Sequence, residues 1–225
     1  MRLAILRFAG CAALVLAGAL GPAGAAFHLM VIDEVYPGNP AAPDAQYVVL
    51  EMTARGQNLV AGHPIITFFP DGRPGPVFGT FAANVPNSLA GDKLLMATQA
   101  AVDLFKISAD QVTTGRLPFP SGRICFSDQT IDCVAYGAYT APNGEYGQPA
   151  AALQQCLSLR RVAFNELADN NATDFQLLPP APANNARVGA GPDGDADLFA
   201  DVVDCAPSNN SLWCRPPEVR GVSQG

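Results

Sequence analysis

Beyond residue 26 the chain reads as short apolar bursts cut by clusters of Pro, Gly, Asn and Asp, the texture of strands joined by tight turns. Residues 29–36 form the first burst, stopped by Pro37-Gly38-Asn39-Pro40. That is a turn signal because proline fixes φ and glycine admits positive φ. Residues 46–52 form the second, and Tyr47, Val48, Val49 and Leu50 suit a pleated, largely buried surface. Residues 64–69 and 77–81 flank Pro70-Asp71-Gly72-Arg73-Pro74-Gly75-Pro76 and predict a hairpin with an elaborate turn. Further strands are expected at 93–98, 122–126, 133–136, 158–162 and 174–178, with a short helix at 99–105. About eight short strands at such spacing argue for an all-β, antiparallel sandwich. No repeat or linker divides this region. After Leu178 the Pro-rich stretch 179–185 leads into sequence poor in apolar runs, which reads as a largely irregular C-terminal tail.

The first residues follow a different pattern. A basic start with Arg2 and Arg7 precedes an apolar run at 11–20, too short to span a bilayer as a helix. Gly21-Pro22 and Ala23-Gly24-Ala25 follow, the last in the A-x-A arrangement of a cleavage site. The expectation is a signal peptide over 1–26, a mature chain starting at Ala26 or Phe27, and a secreted or periplasmic protein, associated with the cell surface, with no transmembrane segment after cleavage. Cys11 opens the apolar run instead of following it, the wrong order for a lipid-attachment cysteine.

Charge narrows the partners. The chain carries a net −7, and loss of Arg2 and Arg7 takes the mature form to about −9. Nucleic-acid backbones are gripped by Lys and Arg, so no nucleic-acid partner is expected. Charged residues make up only 15%, against 20 Pro and 21 Gly, which favours short strands over long helices.

Once Cys11 leaves, Cys125, Cys133, Cys156, Cys205 and Cys214 remain, an odd number that leaves one unmatched within the chain. Cys125 and Cys133 lie on facing runs of an expected hairpin and predict one disulfide. Cys205 and Cys214 bracket a Pro/Asn/Ser loop and predict the second, leaving Cys156 over, buried and inert.

The order of Val31-Ile32-Asp33-Glu34-Val35, then Tyr47-Val48-Val49-Leu50, then Gln57-Asn58-Leu59 resembles the opening of lamin-tail-type domains. Those domains run hydrophobic-x-Glu-hydrophobic, then aromatic-Val-Glu-Leu, then an Asn-Leu or Asp-Leu turn. Gly91-Asp92-Lys93 and the strand after it are similar to the family's Gly-x-hydrophobic strand. Ser158-Leu159-Arg160-Arg161, Asn171-Ala172-Thr173-Asp174-Phe175 and Pro180-Ala181-Pro182-Ala183-Asn184 are similar to bacterial exported members. The resemblance spans 29–185. It departs at Val49, where the family has Glu and this chain carries Glu51 two residues on. It implies an immunoglobulin-like sandwich over 27–185 and an adhesion or attachment role; by composition, 186–225 is an acidic Cys-containing tail.

Candidate chemistry is sparse. His28 and His63 lie far apart in sequence, with no zinc spacing and no Gly-x-Ser-x-Gly elbow. Asp33, Glu34 and Glu51 lie on strands that can be neighbours, and paired carboxylates can perform acid/base work or hold a metal. Adjacent residues on a strand point to opposite faces, so at most one of Asp33 and Glu34 is expected beside Glu51. Arg160-Arg161 is a small basic pair, and Asn171-Ala172-Thr173 and Asn209-Asn210-Ser211 fit glycosylation sequons.

The most specific polar pattern is Asp193, Asp195, Asp197, Asp201 and Asp204 ahead of Cys205. Acids at alternate positions can wrap oxygens around one calcium ion. The run resembles a degenerate thrombospondin type 3 calcium repeat, with Leu198 where such loops carry the turn glycine. The expectation is therefore a secreted, non-enzymatic binding or structural protein with calcium as its cofactor and a protein or polysaccharide partner. The competing class is an exported metal-dependent hydrolase. It requires Asp33 or Glu34 to gather with Glu51 and His63 around one pocket.

Overall fold

The structure, a computed structural model, describes residues 27–129, 131–163, 169–189 and 191. Its strands are β1 (Met30–Tyr36), β2 (Tyr47–Met52), β3 (Pro64–Phe68), β4 (Gly79–Thr80), β5 (Lys93–Thr98), β6 (Gln111–Thr113), β7 (Gly122–Phe126), β8 (Asp132–Tyr136), β9 (Ser158–Arg161) and β10 (Phe175–Leu178). They form an all-β sandwich: a six-stranded sheet in the order β10-β9-β1-β2-β5-β6 and a four-stranded sheet in the order β4-β3-β7-β8. Two short α-helices, α1 (Gln99–Phe105) and α2 (Asn171–Asp174), and a 3₁₀ turn at Gly144–Tyr146 complete the regular structure of the described residues.

Alternation along the strands builds the core. Val48, Leu50 and Met52 of β2 meet Ile65, Ile124, Phe126 and Tyr136 between the sheets. The intervening Tyr47 and Val49 are equally buried, because a second apolar cluster covers the outer face of the large sheet. Helix α1 supplies that cover. Thr98 caps it by accepting from Ala101 N (3.2 Å), and Lys106 ends it in the left-handed region. Its Phe105 stands edge-on to both Tyr36 and Tyr47, with ring centroids 5.3 Å from each. Burying one such ring contributes roughly 1.5–3 kcal/mol, enough to fix a helix too short to persist alone. The connection through α1 also explains β6. That strand was not expected from the sequence and pairs parallel to β5, which requires a crossover rather than a hairpin.

In β1 the register to β2 shifts between Ile32 and Glu34, so Asp33 is an extra residue. Strict alternation therefore fails there. Asp33 reaches Lys93 on the outer face, and Glu34 receives a hydrogen bond from Tyr47 on that same face. The expectation that only one of these carboxylates shares a side with Glu51 is corrected by this bulge.

After β10 the chain straps across the large sheet. Pro179 O accepts from Arg160 Nη1 (3.3 Å), Ala181 N donates to Glu34 Oε1 (2.8 Å), and Asn184 Nδ2 donates to Ser108 O (2.9 Å). Asn185, fully buried, donates through its N to Asp110 Oδ2 and exchanges bonds with Asn87. Arg187 then pairs with Asp92 at 2.8 Å.

Candidate binding site

Over the outer face of the small sheet lies a loop with a single 3₁₀ turn, Gly144–Tyr146. Cys125 and Cys133, directly opposite in the β7–β8 ladder, are joined by a disulfide, as the hairpin pattern predicted. Phe68, Ala135 and Tyr139 pack around the bridge, and the loop through Ala141 and Tyr146 folds over it. Asn143 builds that loop from within: its Nδ2 donates to Tyr146 O (3.2 Å), Gly147 O (3.1 Å) and the buried Asn171 Oδ1 (3.1 Å).

Arg123 enters this cover from β7, opposite Phe68 in register. Its guanidinium lies over the Phe68 ring at 5.7 Å and the Tyr146 ring at 5.6 Å, a cation–π arrangement on both sides. The residue is only 4% exposed. Nη1 donates to Gln129 Oε1 (2.9 Å), while buried Nε has no hydrogen-bond partner among the described residues. An unmet buried donor is costly, and Arg123 carries this one. It borders a cleft of about 420 Å³ lined by Arg123, Gln129, Pro142, Gly144, Glu145 and Tyr146. The Tyr146 hydroxyl is pushed up to about 12 by burial and stays protonated. The cleft thus combines an aromatic ring, a guanidinium rich in donors, and the acceptor oxygens of Glu145 and Gln129.

A second cleft, about 430 Å³, opens on the large sheet beside Asp33, Glu51, Met52, Gly91, Arg161 and Val162. Lys93 sits between its carboxylates, 2.5 Å from Asp33 Oδ2 and 3.4 Å from Glu51 Oε2. Burial draws the Lys93 pKa down, but the two carboxylates more than offset it and the net shift is upward. Glu34 is buried apart from this cleft. Its Oε1 accepts from Tyr47 Oη (2.6 Å) and Ala181 N, and burial raises its pKa. His63 is elsewhere again, its Nδ1 2.9 Å from Ser127 Oγ and its ring stacked on Phe27. The gathering that the hydrolase class requires is thus divided among three places. Among the described residues no three His, Cys, Asp or Glu side chains come together as a metal-binding group.

Other expected sites fare differently. Asp193, Asp195, Asp197, Asp201, Asp204, Cys205, Cys214 and the Asn209 sequon lie outside the described residues. Cys156 is disulfide-bonded, which corrects the expectation that it is left over. Asn171 is not available as a glycan acceptor in the folded protein. It is fully buried, accepting from Ala135 N and donating to Cys133 O. Arg161 is committed to a buried pair with Asp132 at 2.7 Å. Arg123 and Tyr146 were missed. The available signal was a lone charge inside the apolar stretch 122–126, two residues before a cysteine.

No family model, no curated protein and no solved structure matches this chain.

Proposed function

We propose that the protein is an exported, non-enzymatic binding protein of the cell surface or periplasm, whose small sheet presents a saccharide-binding cleft at Arg123 and Tyr146. The observation that supports this reading is the Arg123 guanidinium held against the face of Tyr146 at the wall of the cleft. Sugar hydroxyls both donate and accept, matching Arg123 on one side and Glu145 on the other, while the sugar's C–H face suits an aromatic ring. A bare anion fits less well, since Glu145 lines the same cleft. The lamin-tail-like resemblance supports an attachment role, and the acidic tail adds a calcium-binding segment through Asp193, Asp195, Asp197, Asp201 and Asp204.

Glycan-array screening followed by calorimetry on the mature protein tests this reading. Tyr146→Ala and Arg123→Lys should each abolish measurable saccharide binding, with thermal unfolding run alongside to confirm folded protein. Absence of any glycan ligand, or unchanged affinity in both variants, refutes it. The second reading, a metal-dependent hydrolase, draws on Asp33 and Glu51 facing one cleft. The ammonium of Lys93 between them is placed to repel a cation.

A further inference from the structure

The loop that walls the cleft rests on α2. Gln148 N donates to Asn170 Oδ1 (3.0 Å), and Ala172 N donates to Gln148 O (2.9 Å). Asn143, which builds the loop from within, reaches Asn171 Oδ1 through its Nδ2 (3.1 Å). Gly147 passes so close that a Cβ there would lie 2.7 Å from Asn170 Oδ1. Tyr146 therefore stands on backbone that α2 supports on either side, at Asn143 and at Gln148. The helix is in turn set by carboxyl groups. Asp174 Oδ2 accepts from Asn170 N (2.8 Å), and Asp174 shares a hydrogen bond with Asp169 just ahead of the helix. Asp169 Oδ1 lies 3.8 Å from Arg161 Nη1, and the same guanidinium holds Asp132 at 2.7 Å. Among the described residues, the charged and titratable groups around Asp169 are thus Asp174 on α2, Asp132 on β8, Arg161 on β9 and Tyr146 on the cleft loop. Two carboxyl groups share a hydrogen bond only while one of them keeps its proton.

We propose that a proton held in the Asp132–Asp169–Asp174 cluster controls the saccharide cleft, keeping α2 under the loop when bound and freeing the loop, and with it the saccharide, when lost. The inference rests on the saccharide reading and adds its regulation. The proton belongs on Asp169. Burial, then the bond to Asp174 and the charge of Asp132, push its pKa up to about 7 against the pull of Arg161. Burial takes Asp132 to about 6. Both shifts are upward, so the packed arrangement favours the neutral acids. Their support is full below the ordinary carboxylate value near about 4 and is lost as pH rises through the raised ones. Above that window an ionised Asp169 faces the charge of Asp132 and Asp174 across the Arg161 guanidinium. A helix of four residues has no cohesion of its own to resist that repulsion. Its displacement takes Asn170 from Gln148 and Asn171 from Asn143. Saccharide is held on the acid side and released on the alkaline side.

The test follows the proton by NMR in the full mature chain, from about pH 5.5 to about pH 8.5. The Asp169 carboxyl carbon and the Gln148 and Ala172 amides should inflect together. Asp169→Asn, which keeps the shape of the neutral acid, should hold both amides at their acid-side positions throughout. Amides that ignore pH, or that inflect equally in Asp169→Asn, overturn the proposal. Should that variant fail to fold, wild-type amide and carboxyl midpoints more than about one pH unit apart overturn it as well. Calorimetry with the array glycan bound most tightly separates the regulation from the reading beneath it. Its affinity should fall about tenfold from the acid to the alkaline limit, the equivalent of a one-unit rise in the Asp169 pKa on binding, and stay level in Asp169→Asn. A wild-type affinity that is level with pH overturns the regulation and leaves the cleft standing. Amides that inflect with Asp169 while no glycan binds at any pH refute the saccharide cleft and leave the link from cluster to loop standing.

Discussion

Removing the charge of Asp132 should loosen the seam between the two sheets. Asp132 begins β8 in the small sheet, and its Oδ2 accepts from Ile32 N of β1 (2.6 Å) and Arg161 Nη2 of β9 (2.7 Å), both in the large sheet. Arg161 also donates through Nε to Ile32 O (2.9 Å) and lies over the Phe175 ring at 4.5 Å. Both side chains of the pair are at most 5% exposed. Burial raises the Asp132 pKa from 3.8 to about 6 against the pull of Arg161. By that shift the fold disfavours the ionised carboxylate by about 3 kcal/mol relative to the neutral one. The pair as a whole is therefore no large source of stability, yet breaking it strands a buried charge.

Asp132→Asn keeps an oxygen for Ile32 N but leaves Arg161 without its counter-charge. Such losses run to about 3–5 kcal/mol. Asp169, 3.8 Å from Arg161 Nη1, takes up part of the load, so about 3 kcal/mol is expected. Arg161→Met alone strands Asp132 and should cost a similar amount. The double variant strands neither, and it should cost less than the sum of the singles by at least about 2 kcal/mol. Urea unfolding of all four proteins at neutral pH closes the cycle. Additivity within about 0.5 kcal/mol would refute the claim that these two residues act as one clamp.

Stability should also peak on the acid side of neutrality. Burial raises the folded-state pKa of Glu34, Asp110, Asp132 (to about 6) and Asp169 (to about 7). Their contribution is full below the unfolded values near about 4 and is lost as pH rises through the folded ones. Asp92, lowered mainly by its bond from Arg187, works in the opposite sense and is lost as pH falls below about 4. Unfolding free energy should therefore decline from about pH 5 to pH 7; a rise over that window contradicts the assignment. Non-reducing peptide mapping should return Cys125–Cys133 and a second bridge from Cys156 to Cys205 or Cys214, and a Cys205–Cys214 peptide would contradict the second. Calcium titration of the mature protein should show binding in the 10⁻⁴–10⁻³ M range typical of extracellular modules, roughly as expected with Leu198 in place of the turn glycine. Asp195→Ala plus Asp197→Ala should remove it, and two identical flat titrations would leave the tail a solubilising acidic segment.

Much of the sandwich was legible because it is written in periodicity. The stretch 47–50 reads as continuously apolar, and β2 is buried on both faces, by the opposite sheet and by α1. The hairpin disulfide was readable because two short apolar runs with a polar turn leave few registers, and Cys125 and Cys133 are opposed in the one adopted. Function-bearing geometry was less readable. An insertion of one residue at Asp33 reverses which face the following carboxylate takes, and pattern cannot see it because Val31 through Val35 read equally well either way. The strap was read as the start of a tail because Pro and Asn look like linker. Yet Asn184 and Asn185 are buried, with their amides meeting the Ser108 and Asn87 carbonyls. Polar residues satisfied by backbone carry no apolar signature.

The covers on the two outer faces explain where a ligand can bind. The large sheet is covered by α1 and by the strap, whose side chains meet the sheet with apolar contacts and satisfied hydrogen bonds. The small sheet is covered by a loop held from inside by Asn143, and a loop cannot fill the surface as evenly as a helix. The gap that remains on that face is the Arg123 cleft. Its base is rigid, because Cys125–Cys133 ties β7 to β8 directly beneath and Phe68 and Tyr146 hold the guanidinium between them. A ligand entering there meets groups already ordered, so little of its contact energy goes into immobilising side chains. Reducing the disulfide should therefore weaken saccharide binding before it unfolds the sandwich, because the bridge lies under the cleft and outside the cluster that joins the sheets.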